Sequence, residues 1–153
     1  MSSGAIRMIS LLSSETNIER PERILQKDHL VLRFNDIVAP RAGLVSPAEQ
    51  HIENIISFAK EWDWSTPLLV HCWAGISRSP AAAAIIALAF DPSRDDQELA
   101  ATMRGLSGSI TPNIKMIEIA DQLLDRGSLF TEAFRSIGRG EDAFEGNPFE
   151  LHL

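Results

Sequence analysis

Residues 71–79 read His71-Cys72-Trp73-Ala74-Gly75-Ile76-Ser77-Arg78-Ser79. They place the single cysteine of the chain, a glycine, an arginine and a hydroxyl residue in one short span. The apolar run Leu68-Leu69-Val70 precedes them; Pro80 and the helix formers of 81–90 follow. This pattern predicts a strand that feeds a tight loop, and a loop that opens a helix. Such a loop gathers backbone N–H groups and the positive end of a helix dipole around one point, which makes an anion site. The same positive field favours a thiolate on a cysteine at its base. An anion cradle joined to a sulfur nucleophile suits phosphoryl transfer to sulfur.

In that chemistry Cys72 attacks phosphorus in line and forms a phosphocysteine, dividing one hard displacement into two easier ones. Arg78 returns to the same anion, its planar fork matched to two phosphoryl oxygens. Gly75 reaches backbone angles closed to other residues, so the loop N–H groups can turn inward on the equatorial oxygens. The other loop residues, Trp73, Ala74, Ile76 and Ser77, are expected to contact substrate, with Trp73 in a pocket wall. Ser79 can donate to the departing sulfur, cap the helix, or do both. His71 is expected to hydrogen-bond the loop backbone rather than move protons.

The leaving oxygen also needs a proton. Asp36, in the loop after the apolar segment 29–34, is the candidate acid, and as carboxylate it would then activate water. The alternative for Asp36 is a turn residue that caps local backbone. Asp63, beside Trp62 and Trp64, and Asp28, ahead of the strand, are weaker candidates. Arg41, in the Asp36 loop, is either a substrate contact or a solvated charge.

These residues need a scaffold. Segments 5–12, 29–34 and 67–71 are short and apolar and read as strands, the last fully buried by its composition. Helices between them argue for a mostly parallel sheet of about four to five strands in an α/β domain. Ser46-Pro47-Ala48-Glu49 reads as a capping box with proline at the first helical position. Ile52, Ile55, Ile56, Ala59 and Trp62 then keep helical spacing, and with Trp64 are expected in the core. The helix from Pro80 is apolar all round and should be central. Further helices are expected from Ser93, from Thr111-Pro112 and over 128–137. Gly138 ends the domain at 1–138. The tail, 139–153, is acidic with scattered apolar residues, and either pins to the body or frays.

The bulk numbers bound the alternatives. A chain of 153 residues fits one domain. A net charge of −7 without a basic stripe argues against nucleic acid as a partner. One cysteine excludes an internal disulfide, and four scattered histidines show no metal-ligand spacing. No cofactor or metal is expected. The longest apolar stretch is too short to span a bilayer, so no membrane association is expected. No secretion signal is visible, and a free thiol suits a reducing compartment, so a cytoplasmic location is expected.

The His71–Ser79 motif resembles the His-Cys-x5-Arg-Ser signature of cysteine-dependent protein tyrosine phosphatases. Its Ala-Gly and Ser-Arg-Ser are similar to the compact dual-specificity branch, and to a group of bacterial predicted tyrosine phosphatases. Thr111-Pro112-Asn113, with Ile117 and Gln122 beyond, resembles the Pro-Asn element of that branch. Asp36 lies at a spacing from Cys72 that the branch commonly shows. The resemblance runs from about Ile9 to Leu124. It implies that Asn113 sits behind the phosphate loop and hydrogen-bonds it. The chain departs from the branch in starting late, so its sheet is expected to be one strand short or to begin differently. There is no tyrosine and no obvious aromatic recognition loop.

The expectation is therefore a phosphate-monoester hydrolase. It would act on protein phosphotyrosine, with phosphoserine or phosphothreonine also open. The partners expected are a phosphorylated protein or peptide, and phosphate or another oxyanion in the loop. Phosphoinositide or RNA 5′-phosphate hydrolysis would need more pocket charge than Trp73, Ala74, Ile76 and Ser77 provide. A catalytically weak phospho-binding module is disfavoured by retention of Cys72, Arg78 and an acid. Arsenate reduction would need further cysteines.

Overall fold

The structure is a computed structural model that describes residues 3–153. Three strands form one parallel sheet: β1 (Arg7–Leu12), β2 (His29–Arg33) and β3 (Leu68–His71), in the order β2-β1-β3. Five helices surround it: α1 (Glu49–Lys60), α2 (Arg78–Phe90), α3 (Asp96–Leu106), α4 (Ile114–Leu123) and α5 (Leu129–Ser136). The α/β class and the parallel sheet are as expected. The sheet has three strands among the described residues rather than four to five; they fall on the three segments that read as strands, and the longer apolar run at 81–90 is helical. β1 alone has neighbours on both sides, and all six of its residues are buried. β3 is an edge strand and only partly buried, against the full burial its composition implies.

Side-chain alternation sorts the sheet into two faces. Ile9, Leu11, Leu32, Leu30, Leu68 and Val70 join the main apolar core, which the helices complete. α2 is the centre of that core: nearly every residue from Arg78 to Leu88 is buried. The opposite face carries Ser10, His29 and His71, which the pairing register brings side by side.

Helix starts differ from the sequence expectation where tertiary contacts intervene. α1 begins at Glu49 and the Ser46 capping box does not form. His51 instead accepts the Ala48 N–H at Nδ1 (3.0 Å) while its ring stacks on Phe34 at 4.7 Å. Ser93 does not open α3; its N–H and hydroxyl are held in a turn by Asp91, and Asp95 caps the helix from two residues later. Trp64 is half exposed rather than core, stacked on Trp62 at 4.5 Å. α2 starts at Arg78, two residues before Pro80, so the arginine and Ser79 lie inside its first turn.

Candidate active site

The loop 72–77 leaves the C-terminal end of β3 beside the C-terminal end of β1. The chain crosses from β1 to β2 on one side and to β3 on the other, and open α/β sheets form ligand crevices at such a reversal. Gly75 has φ +72°, the left-handed region that the turn requires. Three of the loop's carbonyls accept from segments outside it. Ala74 accepts from the Gly146 N–H (2.7 Å), Ile76 from Thr111 (2.8 Å) and Ser77 from Asn113 (3.1 Å). The N–H groups of 73–79, by contrast, find no acceptor among the described residues. They leave a concave nest of donors at the start of α2, whose N-terminus has no side-chain cap.

Cys72 is buried at the base of this nest, with Sγ 3.2 Å from the Ser79 hydroxyl. Ser79 therefore faces the sulfur and does not cap α2. Arg78 is only 6% exposed. Its Nη1 donates to the Phe34 carbonyl (2.8 Å) and the Ser13 hydroxyl (3.4 Å), and its Nε is buried without a partner. Both partners are neutral, and among the described residues no carboxylate is ion-paired to this buried guanidinium. Burying a charge in that way is costly unless an anion completes it.

Asp36 hangs over the same cavity from the loop after β2. Its Oδ1 accepts from the Ser77 hydroxyl (2.7 Å) and from Asn113 Nδ2 (2.8 Å), which leaves Oδ2 for other partners. The Asn113 amide also donates to the Ile37 carbonyl at 3.1 Å, and its Oδ1 caps α4 by accepting the Met116 N–H. The implied bond from Asn113 to the phosphate loop is made by its main chain, to Ser77. Its side chain holds the Asp36 loop instead, because the cap fixes Oδ1 toward α4 and points the amide across to Asp36.

His71 lies outside the cavity, on the sheet. Its Nδ1 is 3.3 Å from the Cys72 carbonyl, and Nε2 is 2.6 Å from Ser10 Oγ, which is also 2.7 Å from His29 Nε2. A carbonyl can only accept, so Nδ1 of His71 carries the proton. Burial holds the His71 pKa below 6.5, against the opposing pull of the Cys72 carbonyl. Neutral His71 must then accept the Ser10 proton at Nε2, and Ser10 in turn accepts from His29 Nε2–H. One directional chain thus runs from β2 through β1 to the carbonyl of Cys72.

A cavity of about 590 Å³ contains the site. Cys72, Trp73, Ala74, Ile76, Ser77, Arg78 and Asp36 line it, and Trp73 is 74% exposed at its mouth. Four lining residues were not anticipated: Ser13, Thr16, Arg139 and Ala143. Ser13 and Thr16 follow β1, and Arg33 holds their loop by donating to the carbonyls of both. Only knowledge that β1 is the central strand would have put its exit loop at the site. Arg139 and Ala143 come from the tail and carried no local signal. Arg41 is exposed and does not line the cavity. Asp28 and Asp63 are at the other end of the sheet: Asp28 pairs with Arg7 at 2.8 Å, and Asp63 closes a turn on Ser65.

The fold is that of the dual-specificity phosphatases, and the cysteine-arginine loop occupies the C-terminal edge of its sheet. Among solved structures the chain is similar to the crystal structure of DUSP15, a dual-specificity phosphatase. The TM-score is 0.57 at 17% identity, over 84% of this chain and 76% of that one. No family model and no curated protein matches the sequence.

Proposed function

We propose that this protein hydrolyses phosphate monoesters through a phosphocysteine, with protein phosphotyrosine as the principal substrate. The observation that carries this reading is the buried Arg78 guanidinium, bonded only to neutral groups among the described residues, sharing a cavity with Cys72 and a nest of unengaged N–H groups. A phosphoryl group supplies the acceptors that these donors lack.

In the first step Cys72 attacks phosphorus as the thiolate, forming the S–P bond as the ester P–O bond breaks. Asp36 gives its proton to the leaving oxygen from Oδ2. Arg78 and the N–H nest hold the equatorial oxygens and stabilise the charge that develops there. In the second step Asp36, now a carboxylate, takes a proton from water, which attacks phosphorus. The S–P bond breaks toward Cys72, and the Ser79 hydroxyl donates to the sulfur as it leaves. Inorganic phosphate is the product. The positive charge in this scheme comes from Arg78 and the helix dipole, so it calls for no metal ion. The cavity is larger than a phosphate alone requires, and Trp73 at its mouth offers an apolar face to an aromatic ring.

The test is turnover of p-nitrophenyl phosphate in the presence of EDTA. Cys72→Ser should lose activity by at least about a thousandfold while still binding phosphate or vanadate. Equal turnover by Cys72→Ser would remove the nucleophile and the mechanism with it.

A further inference from the structure

The proposed reaction uses one cation of the cavity, Arg78, and leaves the other, Arg139, unexplained. Arg139 belongs to a segment that is built onto the site rather than trailing from it. Ahead of it, Gly138 is left-handed at φ +63°, and the carbonyls of Ile137 and Gly138 accept from Arg104 at 2.8 and 2.9 Å. Behind it, the Gly140 N–H donates to Thr111 Oγ1 at 3.0 Å, and a Cβ at Gly140 would lie 2.5 Å from the Ile110 carbonyl oxygen. The main chain on both sides of Arg139 is therefore fixed to the body. Farther on, Gly146 closes against the phosphate loop through its bond to Ala74, and a Cβ there would stand 2.9 Å from the Gly75 carbonyl oxygen. Between these anchors Arg139 and Ala143 face the cavity.

The Arg139 side chain is 78% exposed and ion-paired to Asp142, itself exposed, at 2.7 Å. Such a pair is weak and readily exchanged for a better-placed carboxylate. We infer that Arg139 is a specificity residue that binds a carboxylate flanking the phosphorylated residue of a peptide substrate. This rests on the phosphatase reading above. A guanidinium on a fixed backbone mount suits a planar carboxylate, which it can grip with two parallel N–H bonds. A peptide is favoured over a polyanionic lipid headgroup on two counts. Arg139 is a single further cation at the rim, and a chain of net charge −7 is repelled by an anionic membrane surface.

The experiment compares kcat/KM on two phosphotyrosyl peptides that differ only by Glu or Gln beside the phosphorylated residue, with p-nitrophenyl phosphate alongside. The unsubstituted protein should prefer the Glu peptide by roughly fivefold. Arg139→Gln should abolish that preference, Arg139→Lys should restore part of it, and Asp142→Asn should increase it. An unchanged Glu/Gln ratio in Arg139→Gln overturns the assignment, whatever the overall rate. Faster turnover of a soluble phosphoinositide than of the Glu peptide overturns the substrate class. Failure of the unsubstituted protein to hydrolyse p-nitrophenyl phosphate would remove the phosphatase reading and this one together. Hydrolysis with an unchanged ratio would remove Arg139's role alone.

Discussion

The helices α2 and α4 start side by side, tied by the bond from the Asn113 N–H to the Ser77 carbonyl, yet their first turns are finished in opposite ways. α4 is closed by its own chain, with Asn113 Oδ1 on the Met116 N–H. The same holds for α3, capped by Asp95, and for α5, whose first turn donates to the Asp121 carboxylate. α2 receives no such group among the described residues, and its first residue is a buried arginine with neutral partners. Capping residues stabilise by satisfying the orphan donors of a helix start. Leaving them open, and adding a buried charge, costs stability in the same currency. The start of α4 is finished by the fold itself, whereas that of α2 is left open, as the anion site proposed above requires.

The strongest way to break this contrast is Arg78→Met. Its turnover should fall by on the order of a thousandfold or more, since the developing charge loses its main partner. Its unfolding midpoint without added anion should stay level or rise, because a buried charge with only neutral partners is replaced by apolar volume. The rise in Tm that the unsubstituted protein shows with phosphate or vanadate should vanish. A large destabilisation of Arg78→Met in plain buffer, equal to its loss in phosphate, would make Arg78 a structural residue and erase the contrast.

The capped helices supply the complementary test. Asp95→Ala and Asn113→Ala should each lower stability by about 1 kcal/mol in denaturant unfolding. Asp95→Ala should keep its turnover. Asn113→Ala should also slow hydrolysis of esters with poor leaving groups, because it releases the grip on Asp36. If both variants behave alike in turnover, Asn113 serves only its helix.

The smallest effect is a pH dependence of stability. Burial holds His71, His51 and His29 below the usual 6.5, with His71 and Arg20 adding repulsion at His29. The unfolded chain binds protons below about pH 6.5 that the folded chain refuses, so stability is full above that pH and declines as pH falls. Protonating His51 also removes the acceptor that closes α1. Tm should drop by a few degrees or more between pH 7.5 and 5.5, and His51→Gln should flatten the curve. A Tm that is constant or rising on acidification would contradict the neutral histidine chain.

The loop, its strand and its helix were legible because their signals are local. An apolar run, a glycine, and a cysteine and arginine at fixed offset lie within a dozen residues. The strand segments were legible for the same reason. What was misread lay where a distant contact outbid a local preference. His51 took over the start of α1 because Phe34 holds its ring; Ser79, for which two roles were open, faces Cys72. Asn113 bonds the loop as the resemblance implies, but through its main chain, while its side chain reaches Asp36. Ser13, Thr16, Arg139 and Ala143 were invisible because nothing in their neighbours marks them; strand order and tail docking bring them in.

The amino-acid order alone pointed to a sulfur and a guanidinium in one turn, since a strand signal ends just before the cysteine, a glycine falls between them and a helix signal follows the arginine. It also determined that this turn would open an apolar central helix. Tertiary packing decided which carboxylate overhangs the turn, which second cation stands at its rim, and how a histidine on β2 connects to the carbonyl of Cys72. Those are contacts between segments tens of residues apart. They are set by strand order and by glycine-sized approaches that short-range preferences do not encode.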